Sequence, residues 1–220
     1  MTGVHRTYDR IAEHFAQTRE YPWPEVESFL ETRDAGTALD LGCGNGRHAE
    51  LLAARADRVL GVDASVGLLR EARDRAADRG FDVSLVAGDA ARVPLRDDAV
   101  DLAVYVATVH HLETRDDRVA SLAELARVLA PGAAALVSAW STEHDRFADE
   151  DANAPESEDG EVTGGFDTTV DWTLPGGETV PRFYHIYAPA EFRADLEAGG
   201  LAVRDAFVSS GNCYAVVTPQ

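Results

Sequence analysis

The sequence predicts an open α/β sheet, mainly parallel, with helices on both faces. Three observations point there. Between 38 and 142 short apolar runs alternate with amphipathic stretches, the pattern of strand, crossover helix and parallel strand. The first of those runs breaks at Gly42-Cys43-Gly44-Asn45-Gly46, where a strand passes into a helix through a turn that exposes its backbone. After Gly199-Gly200, two more apolar runs at 202–208 and 213–218 stand close enough to close the sheet as an antiparallel hairpin.

The elements follow in order. Residues 5–34 read as a helical preamble in which Tyr8, Ile11, Ala12 and Phe15 recur at helical spacing; Tyr21-Pro22-Trp23-Pro24 interrupts it, and Val26, Phe29 and Leu30 resume it. This cap, 1–35, either covers a ligand pocket or simply packs on the core. Strands are expected at 37–42, 58–63, 81–87, 99–107 and 133–140, and helices near 46–55, 66–79 and 116–130. The character changes after 143, where nine acids and one Arg stand between Glu143 and Glu161. So little apolar surface predicts a mobile acidic insertion, 143–181 in all, with the more apolar 166–177 returning over the site. A helix from Pro189 to Ala198 leads into the closing hairpin. The whole, 1–220, fits one domain with a full core.

Composition removes several function classes. No apolar run is long enough to span a membrane and the N-terminus has no signal-peptide core, which predicts a cytosolic protein with no membrane partner. Two cysteines, Cys43 and Cys213, make neither a disulfide framework nor a metal cluster. The net charge is −19, from 39 acids and 20 bases, and every base is Arg. An acidic chain without lysine resembles the cytosolic proteins of extreme halophiles. In molar salt the Debye length is about 3 Å, so such a surface does not exclude an RNA substrate.

The glycine turn asks for a ligand, because glycine lets one approach the main chain and the next helix offers unpaired N–H groups. It departs from the dinucleotide fingerprint, since Arg47 occupies the position where that pattern needs its third glycine. Two acids stand beside it instead, Asp40 before the turn and Asp63 at the end of the next apolar run. With these residues the chain resembles the class I S-adenosylmethionine-dependent methyltransferases. The resemblance implies a Rossmann-like, seven-stranded, mostly parallel sheet and S-adenosylmethionine as cofactor, with no metal. It also implies a cofactor site of Asp40, Gly42, Gly44, Asn45, Asp63, Ala64, Asp89, Ala90 and Val106, where Asp63 meets the ribose hydroxyls and Asp89 the adenine.

A narrower resemblance rests on His5-Arg6-Thr7-Tyr8-Asp9-Arg10-Ile11-Ala12-Glu13-His14-Phe15, with Thr18-Arg19 and Pro22-Trp23-Pro24 after it, on Thr108-Val109-His110-His111-Leu112, and on Arg182-Phe183-Tyr184-His185-Ile186-Tyr187. These resemble the methyltransferases that esterify carboxymethyl-uridine at the tRNA wobble position, including the domain fused to an AlkB-like hydroxylase. That likeness implies a tRNA anticodon loop as partner and a catalytic set of Arg19, His110, His111, Arg182 and Tyr184. One of the two histidines is expected to face the substrate. Arg19 and Arg182 are candidates for holding carboxylate or phosphate, and among Trp23, Trp140, Trp172 and Tyr184 one or two are expected to stack a splayed base. The family also implies a small zinc-binding activator protein at the edge strand 81–86. Two other readings remain, a methyltransferase of small-molecule carboxylates or other metabolites and a catalytically silent binding module.

Overall fold

A computed structural model describes residues 3–147 and 164–220, so 148–163 of the acidic insertion lie outside the described residues. Two helices open the chain, α1 (Val4–Thr18) and α2 (Pro24–Leu30). The expected alternation follows: β1 (Ala35–Leu41), α3 (Arg47–Ala53), β2 (Ala56–Asp63), α4 (Val66–Arg79), β3 (Ser84–Ala87), β4 (Val100–Val106), α5 (Arg115–Val128) and β5 (Leu129–Trp140). Beyond the insertion come a hairpin of β6 (Phe166–Thr173) and β7 (Thr179–Ile186), helix α6 (Pro189–Ala198), and a second hairpin of β8 (Leu201–Ser209) and β9 (Asn212–Pro219).

Seven strands form one sheet in the order β3-β2-β1-β4-β5-β9-β8, and β6-β7 pair separately. The first five are parallel, whereas β9 joins β5 and β8 joins β9 in antiparallel fashion. Side-chain alternation explains why both faces are covered. Leu39 and Leu41 of β1 pack with Leu122 and Leu125 of α5 and Phe192 and Leu196 of α6, while Ala38 between them packs with Phe29 of α2 and Leu52 of α3. From β1 the chain builds outward to β3, then returns to β4 on the other side. That reversal opens a crevice beyond the carboxyl ends of β1 and β4, where open α/β sheets bind ligands.

Three elements differ from expectation. The edge strand is Ser84–Ala87 rather than 81–86, because Gly80 ends α4 in the left-handed region and the Phe81 N–H still bonds the Ala76 carbonyl; pairing with β2 starts only at Ser84. Strand β5 starts four residues early, at Leu129, and its register against β4 shifts between Val100 and Leu102 so that Pro131-Gly132 is accommodated. Finally, 166–177 is half of a hairpin rather than a strap. Buried Val170, Trp172, Val180 and Tyr184 alternate with exposed neighbours across β6 and β7, a period-2 signal obscured by the acids before it.

Helix α1 is tied down at several points. Asp9 Oδ1 accepts from Ser65 Oγ at 2.8 Å and from the Gly67 N–H at 2.7 Å, while Ser65 itself caps α4. Trp172 Nε1 donates to His14 Nδ1 at 3.0 Å, and Arg10 pairs with Glu178 in the hairpin turn. The preamble therefore roofs the crevice and joins it to the β6-β7 hairpin.

Candidate active site

A cavity of about 410 Å³ fills the crevice, within the size range of small-molecule sites. Its floor is the 42–46 turn. The ends of β2, β3 and β4 supply Asp63, Ala64 and Ser65, then Gly88, Asp89 and Ala90, then Val106, Ala107 and Thr108; α1 supplies Val4, Tyr8 and Phe15, and His111 closes one end. Of the expected cofactor residues, Gly42, Gly44, Asn45, Asp63, Ala64, Asp89, Ala90 and Val106 all line this one cavity.

Asp40 does not. It is 1% exposed, faces Arg47 and the start of α3, and its Oδ2 has no partner. Burial pushes its carboxyl up to about 7, against the pull of Arg47 and the Ala49 N–H. It pairs with Gly61 inside the sheet, two residues before Asp63 is reached on β2, so it lies against the start of α3 rather than in the cavity wall.

The turn is shaped by specific contacts. At Gly42, φ is +71°, and a Cβ there would stand 2.2 Å from Thr108 Oγ1, so β1 and β4 can only converge through a residue with no side chain. Asp63 then fixes the middle of the turn, with Oδ2 accepting from the Gly44 N–H and Oδ1 from the Ser65 N–H, both at 2.8 Å. A carboxylate has about four acceptor sites. Two are used by the backbone, and the remainder are available to a pair of hydroxyls. Burial raises this carboxyl's pKa, with the two backbone donors opposing the rise. Asp89 Oδ1 accepts from the Ala91 N–H at 2.9 Å, which turns the chain at the end of β3. Asn45 donates to the Arg19 carbonyl at 2.9 Å and so couples the turn to the C-terminal end of α1.

The two histidines separate in role of position. His111 lines the cavity; His110, 1% exposed, lies behind it with Nδ1 accepting from the Trp140 N–H at 2.9 Å. Burial lowers both, His111 to about 4 and His110 well below the usual histidine range, and Arg182 adds to the effect at each. Both rings are neutral at pH 7. His111 bonds Tyr8 Oη through Nε2 at 2.8 Å and the Phe183 carbonyl through Nδ1 at 3.0 Å.

The other expected catalytic residues form a layer just outside the cavity. Arg182 is 6% exposed and lies 4.7 Å from the Trp172 ring and 5.1 Å from the Tyr184 ring. Its Nη1 reaches Tyr8 Oη at 3.5 Å, its Nε has no partner, and no carboxylate among the described residues pairs with it. Arg19 lies 5.3 Å from the other side of the same group, over Trp172. Tyr184 stacks on Trp140, 4.5 Å apart and 13° from parallel, so each covers one face of the other. Trp23 faces Arg47, His48 and Tyr214 instead.

Several residues at the site were not singled out as functional from the sequence. Tyr8 stood in a helical period, where packing is the simplest account of any residue, and Tyr8 and Asp9 both belonged to the segment of the narrower resemblance, which gave neither a role. Arg47 lines the cavity with its pKa lowered to about 10 by burial and by Arg19, a consequence of three-dimensional crowding that spacing does not reveal. Ala107 takes φ = +52°, uncommon for a non-glycine residue, directly before Thr108 and the histidine turn.

Comparison with known proteins adds context to this geometry. A family model for a methyltransferase domain matches residues 39–137. A Mus musculus protein named tRNA (carboxymethyluridine(34)-5-O)-methyltransferase ALKBH8 is 37% identical over 144 residues, 64% of this chain and 20% of its own. The Schizosaccharomyces pombe tRNA (carboxymethyluridine(34)-5-O)-methyltransferase is 27% identical over 233 residues, covering 97% and 94% of the two chains. An Encephalitozoon cuniculi protein with a provisional methyltransferase name is 32% identical over 219 residues, again 97% and 94%. The chain spans about a fifth to a third of the length of the animal and plant relatives it matches. Among solved structures, the DhpI-SAM-HEP complex superposes with a TM-score of 0.74 at 21% identity, covering 100% and 99% of the chains. The complex between the Haloferax volcanii Trm112 methyltransferase activator and a provisionally named methyltransferase gives 0.70 at 17% identity, covering 98% and 97%. At those identities the likeness is one of fold.

Proposed function

The chain belongs to the class I methyltransferase family, and from that premise we propose that it uses S-adenosylmethionine to esterify the carboxylate of 5-carboxymethyl-uridine at the tRNA wobble position. The observation that carries the substrate reading is Arg182, a buried guanidinium without an acidic partner among the described residues, one residue away from the cavity wall in a protein with nearly twice as many acids as bases. A buried, unpaired cation is costly unless an anion joins it. The relatives' named activity supports the same reading.

The cofactor fits the residues present. Asp63 has acceptor sites left for two vicinal hydroxyls, Asp89 keeps Oδ2 beyond its own turn, and the Gly44 face of the turn is open except for the edge of Phe15, 3.8 Å from where a Cβ would stand. Bound there, S-adenosylmethionine supplies an electrophilic methyl group. The protein's part is to hold, orient and keep dry. The acceptor carboxylate is already ionised at pH 7, since such groups titrate near 4, and needs no base. Arg182 meets it with a two-pronged donor set, and its guanidinium stands over the rings of both Trp172 and Tyr184. His110, His111 and Tyr8 are neutral and make a low-dielectric wall that strengthens that pairing. Alignment of acceptor and donor is worth about 7–11 kcal/mol in well-oriented pairs. Arg19, Arg182, His111 and Tyr184 are the residues assigned to the acceptor; His110 supports His111. Mass analysis of wobble nucleosides from cells lacking the gene tests this reading: accumulation of the free carboxymethyl form is expected. Unchanged wobble nucleosides, with methylation of a metabolite carboxylate instead, would refute it.

Asp63→Ala is expected to weaken S-adenosylmethionine binding by about 1–3 kcal/mol, through the unpaired hydroxyls. Because the same carboxylate holds the Gly44 and Ser65 N–H groups, a lower melting temperature should accompany the loss. Calorimetric titration checks it; an unchanged affinity in the folded variant would remove Asp63 from the site.

The reading extends to a partner. Strand β3 is a four-residue edge with half-buried Leu85 and Val86 and no proline or lysine, an open template for strand addition. A small zinc-binding activator protein pairs there. Leu85→Asp is expected to abolish co-purification of the two chains while leaving the isolated chain folded; full solubility and tRNA methylation by the lone chain would refute the partner. The acidic, lysine-free surface suits a cytoplasm of molar salt, where tRNA approaches without long-range repulsion. No helix among the described residues is long and apolar enough to cross a membrane.

A further inference from the structure

The bonds around His111 fix its proton. Phe183 offers a carbonyl oxygen, which only accepts, so Nδ1 carries the hydrogen; the neutral ring then has one lone pair, on Nε2. Tyr8 Oη stands 2.8 Å from that lone pair and must be its donor. Having given its hydrogen to His111, the Tyr8 oxygen faces the Arg182 Nη1 donor at 3.5 Å. The chain of bonds thus runs from Arg182 to Tyr8, to His111, to the Phe183 carbonyl, and it joins three separate elements over the cavity.

We propose that Tyr8 is a positioning residue that sets acceptor specificity: by occupying the only lone pair of His111 it denies the acceptor the one cavity-lining imidazole that touches Tyr184, so that acceptors arriving already ionised are methylated; the other lining histidines stand apart, His5 on α1 and His48 on α3 against Trp23. The proposal rests on the carboxylate reading above. Methylation of an ionised oxygen forms one O–C bond, returns one electron pair to the donor sulfur and releases no proton. Methylation of a hydroxyl makes the same bonds but must also discharge a proton, and His111 is the cavity-lining imidazole in contact with Tyr184, one of the residues assigned to the acceptor. With Tyr8 donating to it, Nε2 cannot take that proton.

The groups facing His111 support this. Tyr8 comes from α1, Arg182 and Tyr184 from the hairpin, and His110 from its own turn, 4.5 Å away ring to ring. None is a carboxylate, so nothing stabilises an imidazolium there, and burial holds Tyr8 as a neutral phenol. A His111 ring released from Tyr8 would be a free neutral base rather than a cation.

Nitrogen NMR of the imidazoles in the substrate-free protein is the direct test. His111 is expected as the Nδ1–H tautomer with a hydrogen-bonded Nε2, and Tyr8→Phe, which keeps the ring, should move the Nε2 resonance toward that of an unbonded nitrogen. Finding the Nε2–H tautomer in the wild type would overturn the proposal without reference to any substrate. In turnover, tRNA carrying a 5-hydroxymethyl-type uridine is compared with the carboxymethyl form. Tyr8→Phe is expected to raise the ratio of hydroxyl to carboxylate methylation at least tenfold, with a rate that now falls at low pH as His111 protonates. An unchanged ratio together with a flat pH profile would overturn it, whereas failure of the carboxylate reading shows separately, as no turnover of the carboxymethyl form by the wild type.

Discussion

Arg182→Ala should reduce kcat/KM for tRNA methylation by about a hundredfold to a thousandfold, the loss of roughly 3–4 kcal/mol expected when a charge-assisted pair to a desolvated carboxylate disappears. S-adenosylmethionine affinity should stay within about twofold, because Arg182 is absent from the cavity lining and reaches it only through Tyr8. Arg182→Lys restores the charge and not the fork, and an ammonium lacks the delocalised group that stands over the Trp172 and Tyr184 rings at 4.7 and 5.1 Å. It should recover only part of the rate. The measurement is steady-state methylation of tRNA beside calorimetric titration of the cofactor on the same preparations. Loss of cofactor affinity in Arg182→Ala, with acceptor KM unchanged, would move the residue to the cofactor site and leave the acceptor carboxylate without its partner.

Legibility from the sequence followed the reach of each signal. Strands that alternate with crossover helices carry their period locally, and α4 falls at 66–79, where the spacing predicted it. The glycine turn that floors the cavity was equally legible, because Gly42, Gly44 and Asp63 answer to backbone approach and strand ends, which are properties of neighbours in the chain. What the sequence could not convey is what depends on strand direction and on distant partners. Asp40 looked equivalent to Asp63, yet the register pairs Asp40 with Gly61, two residues short of Asp63 on the same face of the sheet, so it lies inside the sheet against α3 rather than at the strand end that opens on the cavity. Choosing between His110 and His111 needed the Trp140 N–H and the Phe183 carbonyl, 30 and 72 residues away. The β6-β7 hairpin was hidden by acids flanking it, whose composition outweighed four buried residues at alternate positions. Tyr8 was visible as part of a helical stripe and of the segment that carries the narrower resemblance, but nothing along the chain says that its hydroxyl meets a histidine 103 residues later.

Replacing Gly42 and Gly44 by Ala, one at a time, should separate the glycine that builds the fold from the glycine that admits the ligand. Both sit at positive φ, +71° and +52°, so each substitution incurs a left-handed strain of about 1–2 kcal/mol. Beyond that the two diverge. The new Cβ at Gly42 would stand 2.2 Å from Thr108 Oγ1, 2.4 Å from Cγ2 and 2.7 Å from Cβ; the last of these cannot swing away by rotating χ1, so the ends of β1 and β4 must part. Overpacking of that kind adds about 1–3 kcal/mol, and the Thr108 and histidine turn moves with it. Gly42→Ala should therefore lower the melting temperature several times more than Gly44→Ala and lose the cofactor as a consequence of the displaced turn. At Gly44 the nearest atom is Phe15 Cε1 at 3.8 Å, ordinary contact distance, so the protein accommodates the methyl group and the melting temperature should fall by only about 2–6 °C. The methyl group nevertheless enters the cavity on the face of the turn where the proposed reading puts the cofactor. Cofactor affinity in Gly44→Ala should fall at least tenfold, about 1.4 kcal/mol or more, in a protein whose fold is nearly untouched. Wild-type affinity in Gly44→Ala would mean that the ligand does not approach the turn at that residue, and the floor of the site would have to be sought elsewhere along 42–46.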